Sequence, residues 1–89
     1  MKGNKKITSV SIGDNISTIG ANAFKGDKKL ANIELTDSVI KISKNAFKGI
    51  SKKAVFKINA VNEREFNRIV ELIKASGVSD TVTFERVTE

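Results

Sequence analysis

Acid–base or metal chemistry in the first part of the chain, residues 1–57, would have to be built from Asp14, Asp27, Glu34 and Asp37, the only carboxylates there. Asp14 and Asp37 hold matching places in a stretch that occurs twice. A hard cation such as calcium takes several oxygen ligands, yet no third ligand accompanies this pair and lysines surround it. An aspartate that bonds its own backbone at a turn in each of two copies is the simpler reading. The chain has no histidine and no cysteine, so the usual general base, the commonest metal ligand and the thiolate nucleophile are all missing. Gly13 and Gly20 are wrongly spaced for a phosphate-cradling loop. Serines and lysines are plentiful, but none has a partner at a spacing that would activate it. Asn15-Ile16-Ser17 matches the glycosylation triplet, a pattern that arises often by chance. These residues predict no enzyme, no cofactor and no metal.

The elements that would position these side chains are written twice. Ile7-Thr8-Ser9-Val10-Ser11-Ile12 lines up with Leu30-Ala31-Asn32-Ile33-Glu34-Leu35, Ile16 with Val39, and Ile19 with Ile42. Asn22-Ala23-Phe24-Lys25-Gly26 recurs unchanged as Asn45-Ala46-Phe47-Lys48-Gly49, and the numbering offset is 23 throughout. One further step lands on Phe56 and Ile58, where a third copy begins and is abandoned. Val10 and Ile12 have the two-residue spacing of a half-buried strand, with Ser9 and Ser11 facing the other way. Gly13-Asp14-Asn15 and Gly20 provide corners, glycine by accepting positive φ. Ile16 and Ile19 return the chain inward, Ala23-Phe24 adds a small and a large apolar group, and Gly26-Asp27 turns the chain out again.

A unit this short cannot enclose its own apolar residues, so copies must stack in register. Stacking predicts ladders of Val10, Ile33 and Phe56; of Ile12, Leu35 and Ile58; and of Phe24 and Phe47. A strand of the form L-x-x-I-x-L, an apolar pair three apart, then N-A-F-K-G at a constant period resembles the BspA-type leucine-rich repeats over Ile7 to about Ile58. The third copy departs from that pattern: Lys53 takes the place of the leading aliphatic, and no third A-F-x-G follows.

A different kind of sequence follows. Asn62 with Glu65 three residues on reads as a helix N-cap with a capping box, and Val61 and Phe66 occupy the positions of a hydrophobic staple. Phe66, Ile69, Val70 and Ile73 fall on one helical face, with Arg64, Arg68, Glu71 and Lys74 largely off it and able to pair weakly with one another. Gly77 stands where a helix end favours positive φ, and Thr81 to Val87 alternates as a strand does. The predicted class is α+β, a short leucine-rich repeat solenoid of two full repeats plus a third strand, closed by a C-terminal helix–strand cap. The predicted organisation is a flexible lead-in over 1–6, repeats over 7–60 and the cap over 61–89.

Eighty-nine residues amount to one small domain at most. No apolar run approaches the roughly 20 residues needed to span a bilayer, and the basic start Met1 to Lys6 has no apolar segment behind it, so it is no signal peptide. Charge is uneven: residues 1–57 hold twelve lysines against the four carboxylates, a net of +8, while residues 58–89 hold four basic and six acidic groups, a net of −2. No aromatic side chain is interleaved with the lysines to stack on bases, so lysine as a solubilising surface is favoured over a nucleic-acid interface. Nothing before Ile7 covers the first repeat. Either further repeats precede it, or two copies associate weakly through that edge.

The outward strand residues are the candidate binding face. They form rows of Ser9, Asn32 and Val55; of Ser11, Glu34 and Lys57; and of Gly13, Thr36 and Asn59. A solvated face with no partner fits the same residues, and the stacked Lys25 and Lys48 offer a second surface. The resemblance implies a non-catalytic protein-binding or adhesion module, the C-terminal end of a longer protein on or outside a bacterial cell, with a protein or cell-surface ligand. The alternative class is a small basic nucleic-acid-associated protein.

Overall fold

A computed structural model describes residues 7–13 and 15–87. The lead-in expected over 1–6 lies outside the described residues, as does Asp14. In chain order the elements are strands β1 (Ser9–Ser11), β2 (Thr18–Ile19), β3 (Asn32–Thr36), β4 (Lys41–Ile42) and β5 (Val55–Asn59), helix α1 (Glu63–Ala75) and strand β6 (Thr83–Val87). Strands and a single helix make the class α+β. All the pairings are parallel: β1-β3-β5-β6 form one sheet and β2-β4 a second.

The sequence period sets the strand register. Val10 lies beside Ile33 and Ile33 beside Phe56, and Ile19 lies beside Ile42. The Ile12 N–H donates to the Glu34 carbonyl at 2.7 Å, carrying the ladder one residue past β1. Two-residue alternation then sends Ile33, Leu35, Phe56 and Ile58 into the core, where all four are fully or almost fully buried. The Phe24 and Phe47 rings stack at 5.3 Å and 5°, as the repeat requires; Phe47 meets Phe56 edge-on at 5.3 Å, and Phe56 lies on Phe84 at 5.5 Å. Four aromatic rings thus run in unbroken contact through the core. Offset-stacked and edge-to-face pairs each add roughly 0.5–1.5 kcal/mol beyond the area they bury.

The corners differ from expectation in where they use the left-handed region. Among the described residues, positive φ occurs at Asn22, Asn45, Gly26, Gly49 and Gly77, not at Gly13 or Gly20. The Asn-Ala-Phe-Lys-Gly turn needs both of its ends there, and Asn tolerates that conformation better than other residues with a Cβ. The two turns lie backbone on backbone, with the Phe24 N–H on Ala46 O at 2.8 Å and the Gly26 N–H on Lys48 O at 2.9 Å. A Cβ at Gly49 would meet Gly26 N at 3.2 Å, whereas one at Gly26 would meet nothing within 4 Å. Gly26→Ala therefore carries only the backbone strain, about 1–2 kcal/mol. Gly49→Ala must also part the two turns, and a urea titration is expected to show the larger loss for Gly49→Ala.

Three side chains sit differently from their expected places. Ile16 is 42% exposed, although its counterpart Val39 is fully buried. The turn at Val39 is held on both sides: Ile40 N–H reaches Ser17 O, and Arg68 Nη1 reaches Val39 O at 2.7 Å. Asp27, expected to turn outward, is fully buried. It occupies the column of Ile50, and its own N–H and carbonyl close the turn through Phe24 O and Leu30 N. Val61 is 74% exposed, so the expected staple with Phe66 buries little; its N–H is held by Asp37 Oδ2 at 2.9 Å.

Helix α1 starts as its sequence directs, with Asn62 Oδ1 accepting the Glu65 N–H at 2.9 Å. The Glu65 carboxylate turns to Arg68, with Oε1 2.8 Å from Nε and 2.7 Å from Nη2. Arg68 also donates to the carbonyls of Val39 and Asp37, the latter at 2.9 Å. It is thus the main polar tie between α1 and the β3–β4 turn, rather than the weak surface partner its spacing suggested. Truncating it leaves two carbonyls without their charged donor, and Arg68→Ala is expected to cost about 1–3 kcal/mol in a chemical melt. Ile69, Val70 and Ile73 are buried, and α1 touches β4, β5 and β6. At the far end Gly77, at φ +97°, passes close to Lys48 Cβ.

Candidate binding face

The parallel register carries the outward residues into rows, since every second side chain of a strand emerges on the same side. Ser9, Asn32 and Val55 lie side by side, and β6 extends the row with Thr83. Ser11, Glu34 and Lys57 form the second row, extended by Glu85, and Thr36 and Asn59 the third, extended by Val87. Ser9, Ser11, Asn32, Glu34 and Lys57 are exposed, while Thr36, Val55 and Asn59 are half-buried.

Five of these eight residues come together more closely. A hollow of about 310 Å³ at the C-terminal ends of the strands is lined by Ser11, Glu34, Thr36, Lys57 and Asn59, with Val87 at its far side. Ser9, Asn32 and Val55 lie at the opposite ends of their strands and do not line it. Thr36 is partly engaged within its own turn, where its Oγ1 lies 2.6 Å from Ser38 Oγ. Across the middle row the charges alternate as Glu34, Lys57 and Glu85 on adjacent strands, roughly 4.8 Å apart at strand spacing. Such a row favours a partner with its own mixed charges and offers no field for a polyanion.

Thr83, Glu85 and Val87 were not foreseen in these rows. Alternation over 81–87 marks two faces but names no neighbour, and Phe84 follows its row partner Phe56 by more than one period, because α1 intervenes. The repeat offset therefore does not find it.

Asp27 and Asp37 behave as parts of the frame. Asp37 fastens the Val61 N–H, and Glu34 stands on the exposed sheet. Asp14, the counterpart of Asp37, lies outside the described residues. No three His, Cys, Asp or Glu among the described residues cluster in a way that would hold a metal ion. Exposed Lys25, Lys28, Lys29, Lys48, Lys52 and Lys53 gather on the turns. The ion pairs Arg68–Glu65 and Lys74–Glu71 lie on α1.

The family model for the BspA type leucine rich repeat region (6 copies) matches residues 2–83. The chain belongs to the BspA-type leucine-rich repeat family. No curated protein and no solved structure matches it. In this chain the strands expose their alternate residues, and the Asn-Ala-Phe-Lys-Gly turns contribute Phe24 and Phe47 to the core behind them. The family is generally non-catalytic and points to protein interaction or adhesion. No helix of the described residues is long and apolar enough to cross a membrane.

Proposed function

We propose that this chain is a non-catalytic protein-binding or adhesion module that engages a protein or cell-surface ligand through the outward rows of its four-stranded sheet. It acts as the C-terminal part of a longer leucine-rich repeat solenoid on the surface of a bacterial cell, with α1 and β6 as its cap. The reading rests chiefly on one observation: Ser11, Glu34, Thr36, Lys57 and Asn59, drawn from three strands, line one mixed-charge hollow. Family membership supports the location, since BspA-type proteins are typically surface-associated in bacteria. Repeat folds commonly present such strand rows to protein partners.

The test compares two variants of equal charge change. Beads coated with the protein are applied to living cell surfaces and counted after washing. Lys57→Glu, inside the hollow, is expected to reduce retention at least about tenfold, the effect of losing roughly 1.4 kcal/mol. Lys48→Glu, on the turns, is expected to leave retention nearly unchanged. Equal losses for both would assign adhesion to overall charge and overturn the face.

The gathering of six lysines on the turns favours a second reading, a nucleic-acid-associated protein. Phosphate contacts release counterions, so binding to random-sequence DNA would fall steeply with salt. Absence of binding at low salt would dismiss this reading.

A further inference from the structure

The charges of the outward face stand in its second row. Glu34 on β3, Lys57 on β5 and Glu85 on β6 lie side by side in the parallel register, and all three are exposed. Among the described residues no ion pair joins them to one another. Three neighbouring charges of alternating sign are therefore left for a partner to answer. The row is complete within β3, β5 and β6 and draws nothing from the chain before Asn32. The third row beside it is lower: Thr36, Asn59 and Val87 are half-buried and carry short side chains. They line the hollow of about 310 Å³ together with Glu34 and Lys57, so the long charged side chains border it.

Spacing selects the shape of the partner. Adjacent strands lie roughly 4.8 Å apart, so the three charges span roughly 10 Å at right angles to the strands. On an α-helix, residues i, i+4 and i+7 share one stripe and span about 10.5 Å, with the middle one about 6 Å from the first. An extended segment returns to the same face only about every 6.8 Å, so three such residues span about 13.5 Å. Its third charge would overshoot the row by nearly a strand spacing.

We propose that the partner engages this face through an α-helix laid across the strands, with basic, acidic and basic residues at i, i+4 and i+7 facing Glu34, Lys57 and Glu85. The proposal rests on the reading of this sheet as the binding face and adds the shape and charge order of what it binds. The order is the same read from either end, so it sets the stripe and not the direction of the helix. A helix of inverted charge order meets like charges at all three places, which is how such a row excludes wrong partners.

Three synthetic peptides, titrated into the ¹⁵N-labelled whole chain to about 1 mM, test this by amide shifts. The first is a stapled helix with Lys, Glu and Lys at i, i+4 and i+7. The second is its charge-inverted twin, and the third is an extended peptide with the charges of the first at i, i+2 and i+4. The first is expected to bind at least about tenfold more tightly than either of the others, with shifts gathered on β3, β5 and β6. Lys57→Glu is expected to transfer the preference to a helix with lysine at the centre, and Glu85→Lys to one with glutamate at that end. Both positions are exposed, so far-UV circular dichroism should stay that of the parent; should Lys57→Glu disturb the fold, Glu85→Lys decides. Absence of shifts with every peptide, equal binding of the inverted helix, tighter binding of the extended peptide, or a preference that ignores both substitutions would each overturn the proposal. Any of these alongside lost bead retention in Lys57→Glu removes the helix and leaves the binding face standing, whereas unchanged retention removes the face itself.

Discussion

Phe47→Ala is expected to lower the unfolding free energy by about 3–5 kcal/mol in a urea titration, with the slope of the transition unchanged. Phe47 is fully buried and is the ring that joins the two repeats to the rest of the core. It lies flat on Phe24 and edge-on to Phe56, each at 5.3 Å. Its removal loses the transfer free energy of the ring and both aromatic contacts, and leaves a void that two parallel backbones cannot collapse to fill. Domains are stable by only about 5–15 kcal/mol, with small ones at the lower end, so most of the chain's stability is at stake. Phe24→Ala should cost less, because Phe24 has one ring neighbour among the described residues. A melt of Phe47→Ala within a degree or two of the parent would mean that the rings do not carry the core.

Ile69→Ala is expected to cost about 2–5 kcal/mol, and Leu72→Ala clearly less. Ile69 is fully buried under α1, whereas Leu72 is only partly buried. The helix has little else to hold it: the Arg68 tie, its start at Asn62 and the close approach of Gly77 to Lys48. A helix of 13 residues is marginal alone, so its order depends on this apolar face. Hydrogen exchange is expected to show the amides of α1 opening earlier than those of β3 and β5 in Ile69→Ala. Simultaneous loss of all three would mean that helix and sheet form a single cooperative unit.

The sheet was legible in the sequence because translation is a property of letters as well as of space. Residues one period apart share a column, so the register of β1, β3 and β5 and the Phe24–Phe47 stack could be read before any coordinate. The same rule applied to Asp27 would have placed it in the buried column of Ile50, but its chemistry suggested a turn in water. Composition misled at the corners too. Gly13 and Gly20 look like the residues for positive φ, yet the turn that needs it is closed by Asn22 and Gly26 and again by Asn45 and Gly49.

Contacts between elements of different kinds left no trace in the period. The long reach of Arg68 to Val39 and the pairing of β6 on β5 are set by how α1 lies on the core. The candidate face was legible as alternating polar residues, but its hollow was not. Its far side is set by β6, which brings Val87 beside Asn59 and which the repeat period does not place.

Stacking of consecutive repeats is tested most directly by proton NMR of the aromatic side chains. The chain has five phenylalanines and no tyrosine, tryptophan or histidine, so every aromatic ring signal belongs to phenylalanine. With site-specific ring labelling, strong nuclear Overhauser contacts are predicted between Phe24 and Phe47 and between Phe47 and Phe56, as centroid separations of 5.3 Å require. A well-folded sample with no contact between Phe24 and Phe47 would contradict the stack and the sheet register that depends on it.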